Sequence, residues 1–165
     1  MLLYFTHINT ALGKILLLSD GTFLTGLYFD NQKHIPLIDP SWQKKTQHPL
    51  FNHVEQQLTQ YFQGTRQTFE IPYSLKTGTV FQQKVWGEIA KIPCGTVLSY
   101  RQLAELIGTP QSTRAVANAT GHNPISLIIP CHRIVGSNGS LTGYAGGLER
   151  KRVLLELEKE NKALI

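Results

Sequence analysis

Cysteine is scarce in this chain: there are two among 165 residues, Cys94 and Cys131, and each follows a proline. So thin a supply excludes a disulfide framework and suits a reducing compartment, where a reactive thiol survives. Long apolar runs are missing too, since no stretch approaches the roughly 20 residues that a bilayer-spanning helix needs. The opening Met1-Leu2-Leu3-Tyr4-Phe5 has no basic segment and soon turns polar, so no signal peptide is expected and the cytoplasm is the expected location. The first half lacks convergent acids and a Gly-rich phosphate loop. Its four histidines (His7, His34, His48 and His53) have no cysteine nearby and no metal-ligand spacing, and read as scattered surface residues rather than a zinc site.

What is present is a globular balance, with 41% hydrophobic and 16% charged residues. The formal charge of +5 is uneven: Thr79 onward carries 10 Lys and Arg against 6 Asp and Glu, and residues 1–78 carry 6 against 5. A basic second half favours an acidic partner such as nucleic acid, although charge alone is equally compatible with a merely soluble surface.

The order of elements predicts an α/β (α+β) chain. Residues 2–8, 14–19 and 22–29 read as short strands, the last two joined by the hairpin signal Asp20-Gly21. Lys33 to Lys45 reads as a polar loop. From Pro49 the spacing turns helical, with Phe51, Val54, Leu58, Tyr61 and Phe62 on one face and Gly64 as the stop. Gln67 to Ile71 is expected to add a strand, and Tyr73 to Gly78 to be a linker. This divides the chain into a small N-terminal α/β domain, residues 1–75, and a mostly helical C-terminal domain, residues 79–165.

Two capping boxes mark helix starts in the second half: Thr79 with Gln82, and Ser99 with Gln102. The first opens a helix through Lys91 that buries Phe81, Val85 and Ile89. The second opens one that buries Leu103, Leu106 and Ile107. Gly108-Thr109-Pro110 breaks it, and a further helix runs from about Gln111 to Ala119. The pair has the shape of a helix-turn-helix, a pattern that any helical hairpin shares. A last helix, Leu148 to about Lys159, carries Leu148, Leu155 and Glu158 along one side.

Between these helices lies the densest motif. Leu127-Ile128-Ile129 reads as a short buried strand, stopped by Pro130. Cys131 then stands at its end, with His132 adjacent and Arg133 adding a positive charge that favours thiolate. Cys94 sits in a similar frame, Ile92-Pro93-Cys94-Gly95, without a neighbouring His or Arg, and reads as a turn residue.

Asn123-Pro124, Ile129 to Val135 and Gly143-Tyr144-Ala145-Gly146-Gly147-Leu148 together resemble the active-site motif of the O6-alkylguanine-DNA alkyltransferases. The resemblance covers the chain from about Phe81 to Glu158, and the first half matches as that family's variable N-terminal domain would. It implies a single-turnover DNA-repair protein: O6-alkylguanine, and O4-alkylthymine as a second lesion, is flipped from double-stranded DNA approached in the minor groove. The alkyl group passes irreversibly to Cys131 of a monomer; some relatives carry zinc in the N-terminal domain through Cys and His, but this chain lacks those cysteines, and no metal or cofactor is expected. It also implies roles for individual residues. His132 is the base and Glu158 orients it; Tyr100 donates to a ring nitrogen of the leaving guanine. Arg114 fills the gap left by the flipped base, and Asn123 ties the helix pair to the active-site strand. Tyr144 and Ala145 cover the base, with backbone N–H at Ala145 where many relatives have Ser. Read without the resemblance, Glu158 is a solvated acid among Glu156 and Glu160, and Arg114 is a phosphate contact or a surface charge. Two other classes compete: a non-catalytic DNA-binding module, which Cys131 argues against, and a Cys-His hydrolase, which the helix-turn-helix and the basic second half argue against.

Overall fold

Short runs rich in Leu, Ile, Thr and aromatic residues form the first three strands of the computed structural model, which describes residues 2–163. β1 (Tyr4–Thr10) and β2 (Gly13–Ser19) make an antiparallel hairpin, and β2 pairs antiparallel with β3 (Leu24–Phe29). The β2–β3 connection is longer than the expected two-residue turn. Asp20 Oδ1 accepts from the N–H groups of Thr22 and Phe23 at 3.0 and 2.8 Å, and the register shifts at Leu18/Ser19. The fourth strand also departs from expectation. Gln67 to Ile71 is not a strand; β4 (Gln43–Lys44), inside the expected polar loop, pairs parallel with β1 instead, giving the order β3-β2-β1-β4. Two residues with no apolar alternation leave no local trace of such a pairing.

α1 (Pro49–Phe62) packs on β1 and begins with Pro49 at its first turn, where a missing N–H costs nothing; His48 Nδ1 accepts from Leu50 N–H at 3.1 Å. Gly64 ends it with φ +82°, and a Cβ there would meet Asn161 Oδ1 at 2.7 Å, so both backbone and space demand glycine.

Both capping boxes form as read, at the starts of α2 (Val80–Ile89) and α3 (Tyr100–Leu106). Each satisfies two otherwise unpaired amides and contributes about 1 kcal/mol. α4 (Thr113–Gly121) packs against both helices, and Trp86 Nε1 donates to the Ala119 carbonyl at 2.8 Å. Within α3 the inward face is Leu103 and Ala104; Leu106 points outward and is 61% exposed, contrary to its expected burial. α5 (Leu148–Ala163) also turns a different face inward. Lys151, Leu154, Glu158 and Asn161 are buried, whereas Leu148 is exposed and Leu155 half-buried. Spacings of three and four residues put those four on one helical stripe.

The two halves meet along the outer edge of β3. Leu27 N–H donates to the Pro124 carbonyl at 2.9 Å and Ser126 N–H returns a bond to Leu27 O at 3.0 Å, while farther along the same edge Leu24 N–H bonds within the N-terminal half, to the Pro72 carbonyl at 2.9 Å. The buried side chains form one continuous cluster, from Leu27 and Tyr61 through Trp86 to Ile125 and Leu154. The segment leading to Cys131 is thus hung directly on the N-terminal sheet.

Candidate active site

Leu127 and Ile129 are buried and Ile128 is half-buried, but the segment is not the expected strand. Leu127 adopts φ +71°, and Ile128 N–H and Ile129 N–H bond back to Ser126 O at 2.8 Å and Ile125 O at 3.0 Å, closing a tight turn. A left-handed leucine is costly and persists only where its surroundings hold it. Asn123 does much of that holding. Its Oδ1 accepts from Ile125 N–H at 3.0 Å, and its Nδ2 donates to Ile129 O at 2.7 Å, pinning both ends of the turn. Pro130 then starts a single 3-10 turn, Cys131–Arg133, which runs into β6 (Ile134–Val135). β6 pairs parallel with β5 (Leu98–Ser99), the strand that caps α3 and sets Tyr100 beside the site.

Cys131 is 4% exposed and forms part of the wall of a cleft of about 510 Å³. Tyr100, Arg114, Tyr144 and Ala145 line the same cleft, as do Lys33 and His34 from the N-terminal half. His132, Glu158 and Asn123 lie behind this wall, all buried. The structure thus gathers all eight sequence-expected residues around one turn, five lining the cleft and three supporting it.

Glu158 is the hub of the buried side. His132 Nε2 lies 2.7 Å from its Oε2, and Arg133 grips both oxygens, Nε to Oε1 and Nη2 to Oε2, each at 2.8 Å. Burial alone would raise the carboxyl of Glu158, but the hydrogen bonds from Arg133 and then His132 hold it well below the usual range. A carboxylate only accepts, so Nε2 of His132 carries the hydrogen and Nδ1 keeps the lone pair. Nδ1 is buried and has no hydrogen-bond partner among the described residues. Burial also lowers the pKa of His132 against the pull of Glu158, so the ring rests neutral.

Arg133 does not serve Cys131 as the sequence led us to expect. Its guanidinium is committed to Glu158 and, through Nη1, to the Ile92 carbonyl at 2.6 Å. Nor is the thiol depressed at rest: burial pushes Cys131 up, with a side-chain contact from Asn123 and the charge of Lys151 acting the other way. At rest, then, burial favours the neutral thiol, and the charge that favours thiolate comes from Lys151 rather than from Arg133.

Lys151 escaped the sequence reading altogether. It is fully buried, and its Nζ donates to Thr142 O at 3.1 Å and Gly143 O at 3.0 Å, fixing the loop before Tyr144. Burial lowers it to about 8. Its spacing of seven residues from Glu158, on the same stripe, was the available signal. Tyr100 OH donates to that same Thr142 carbonyl at 3.0 Å, so in this state the phenol is bonded to the loop. Tyr144 OH is buried with no hydrogen-bond partner among the described residues. At the rim, His34 stacks on His122 with ring centroids 3.9 Å apart, and Lys33 N–H donates to Ala145 O at 3.0 Å, so the N-terminal half supplies part of the cleft wall. No helix among the described residues is long and apolar enough to cross a membrane.

Comparison with known proteins matches this arrangement over nearly the whole chain. Residues 80–160 match the family described as 6-O-methylguanine DNA methyltransferase, DNA binding domain, and residues 3–75 match the ribonuclease-like domain of the same methyltransferase. A methylated-DNA–protein-cysteine methyltransferase of Haemophilus influenzae is 42% identical over 157 residues, covering 95% of this chain and 87% of that protein. The constitutive enzyme of that name from Bacillus subtilis is 37% identical over 163 residues, covering 94% of this chain and 95% of its own length. The crystal structure of Mycobacterium tuberculosis OGT in complex with DNA superposes with a TM-score of 0.88 at 40% identity, covering 98% of this chain and 94% of that one. With two matching domains and relatives near 40% identity along most of its length, the chain belongs to the 6-O-methylguanine DNA methyltransferase family.

Proposed function

We propose that Cys131 is the acceptor in a DNA-repair reaction that moves an alkyl group from O6 of guanine to protein sulfur. The chain repairs DNA by methyl transfer to a cysteine, as its relatives are named for doing. The observation that carries the assignment is the join between cleft and buried hub. Cys131 lines the cleft, and the next residue is a neutral histidine oriented by Glu158 with Nδ1 as its remaining acceptor.

In this reading the thiol proton passes to His132 Nδ1 as sulfur attacks the saturated carbon on O6. The S–C bond forms, the C–O6 bond breaks, and its electron pair returns to the guanine. Glu158 stabilises the imidazolium that results. Tyr100, released from Thr142, donates its proton to a ring nitrogen of the leaving guanine and becomes a tyrosinate; the proton that His132 took from the thiol then passes to that tyrosinate, so the net movement is of the thiol proton to the guanine. Thioether and repaired base are the products, and no step returns sulfur to a thiol, so each chain reacts once.

A base within a duplex cannot reach Cys131 and must be flipped, at a cost of a few kcal/mol. Arg114, exposed on α4 and lining the cleft, fills the vacated space from the minor-groove side, where little sequence is read. Tyr144 packs against the flipped base, the backbone N–H at Ala145 meets its O6 side, and Asn123 keeps the turn below Cys131 in shape. Residues 79–165 carry this chemistry, and residues 1–75 close one wall of the cleft. O6-alkylguanine is the main substrate and O4-alkylthymine a second one. The chain works as a monomer in the cytoplasm, without a cofactor.

Titrating a fixed amount of protein with duplex DNA containing O6-methylguanine tests this reading. Repair should stop at one lesion per chain; continued repair beyond that ratio would contradict it.

A further inference from the structure

Glu158 holds more donors than orientation of His132 requires, and one of them comes from the far half of the chain. Its Oε2 accepts from His132 Nε2 at 2.7 Å, from Arg133 Nη2 at 2.8 Å, and from Tyr61 Oη at 2.6 Å. Tyr61 lies on α1, 97 residues from Glu158 in sequence. Its ring is fully buried, with the rings of Phe62 and Phe69 each 5.3 Å away, so packing fixes where the hydroxyl points.

Arg133 already grips both carboxylate oxygens and settles their orientation. The phenol therefore adds electrostatics. A short O–H···O⁻ bond draws charge from Oε2, the oxygen that polarises His132, and so weakens the pull of Glu158 on the imidazole proton. We propose that Tyr61 is a positioning residue of the thiol-activating pair, acting through Glu158 to limit how basic His132 becomes. Through it the N-terminal half takes part in setting the reactivity of Cys131. This rests on the reading of Cys131 as acceptor and His132 as its base.

The other charged or titratable groups around the pair are Arg133 and Cys131 on the 3-10 turn, Lys151 on α5, Cys94 after α2, and Tyr144 in the loop before α5. Arg133 and Lys151 both oppose protonation of His132, and in this proposal Tyr61 works in the same direction. Removing its hydroxyl returns charge to Oε2 and stabilises the imidazolium. The pH below which His132 is already protonated, and can no longer take the thiol proton, then rises.

The test follows the rate of Cys131 alkylation by free O6-benzylguanine across pH. It uses the native protein, Tyr61→Phe, and protein carrying 3-fluorotyrosine at position 61, whose more acidic phenol is a stronger donor. The acid limb should move up by on the order of half a pH unit in Tyr61→Phe and down in the fluorotyrosine protein. A uniform loss of rate with an unmoved limb, or three superimposed limbs, would overturn the inference and leave Tyr61 a packing residue. If Tyr61→Phe does not fold, the fluorotyrosine protein, which keeps every hydrogen bond, decides by the direction of its shift. Native protein alkylated somewhere other than Cys131 would overturn the acceptor reading and this inference with it; native alkylation at Cys131 with unmoved limbs overturns the inference alone.

Discussion

Cys94 and Cys131 both end an Ile-Pro-Cys frame, and burial pushes both thiols up, yet the fold gives them opposite surroundings. Cys94 stands in the turn after α2, where Thr96 N–H bonds to Pro93 O at 3.1 Å and Gly95 takes φ +81°. The negative charge of Glu158 also raises it, and the charge and hydrogen bond of Arg133 act the other way. Cys131 instead meets Asn123 and the charge of Lys151, which both favour thiolate, and it alone of the two lines the cleft. Arg133 has a histidine-adjacent cysteine on its own turn, but its guanidinium bonds to Glu158 and to the backbone of the Cys94 loop. The comparison teaches that sequence neighbours do not identify the charges a thiol senses: Arg133, two residues from Cys131, acts on Cys94, and Lys151, twenty residues away, acts on Cys131.

The largest effect should come from Cys131→Ser. A hydroxyl is a far weaker nucleophile than a thiol, so methyl transfer should be abolished in a repair assay, while gel-shift binding to duplex DNA stays near native strength. Retained transfer would erase the distinction between the two thiols.

Glu158→Ala removes the partner of both His132 and Arg133. It leaves a buried guanidinium uncompensated, and the expected cost is about 3–5 kcal/mol in chemical denaturation. The milder Glu158→Gln tests the charge. The folded carboxyl is held below its ordinary value of 4.5, so the unfolded state binds more protons as pH falls below that value. Native stability from this group is therefore full above about pH 4.5 and drains away as pH drops toward the folded value. Melting temperatures should fall more steeply with acid in the native protein than in Glu158→Gln; parallel curves would mean that the ion pair with Arg133 does not carry this stability.

Arg114→Ala sharpens the contrast from the cleft side, which only Cys131 faces. Reaction with free O6-benzylguanine needs no flipping and should change little, whereas repair in duplex DNA should slow by about tenfold or more, since flipping costs a few kcal/mol. Equal losses on both substrates would leave Arg114 as a general support for the cleft.

Much of this was legible because the signals are local. Thr79 with Gln82 and Ser99 with Gln102 cap their own helices, and Pro49 and Gly64 bracket α1, so each device reads within a few residues. Cys131 and His132 were legible from their motif. The remainder depends on partners distant in the chain. Leu127-Ile128-Ile129 has strand composition, but Asn123 bends it into a turn with a left-handed leucine. β4 exists because β1 offers an edge, and two polar residues carry no mark of it. Lys151 and Tyr61 look like a surface lysine and a core aromatic until α5 places Glu158 between the two halves. The inward face of α5 differs from the expected one for a related reason: its buried stripe includes Lys151 and Asn161, which hydropathy alone assigns to solvent.

The smallest effect is expected from Cys94→Ser, a near-isosteric change in a half-buried turn, which should leave the repair rate within about twofold of native and cost no more than about 1 kcal/mol. The most direct measurement uses the native chain with both thiols intact: peptide mass spectrometry after incubation with excess duplex DNA containing O6-methylguanine. One added methyl group per chain, found as S-methylcysteine at Cys131 with Cys94 unmodified, is the predicted result. A methyl group on Cys94 would contradict it.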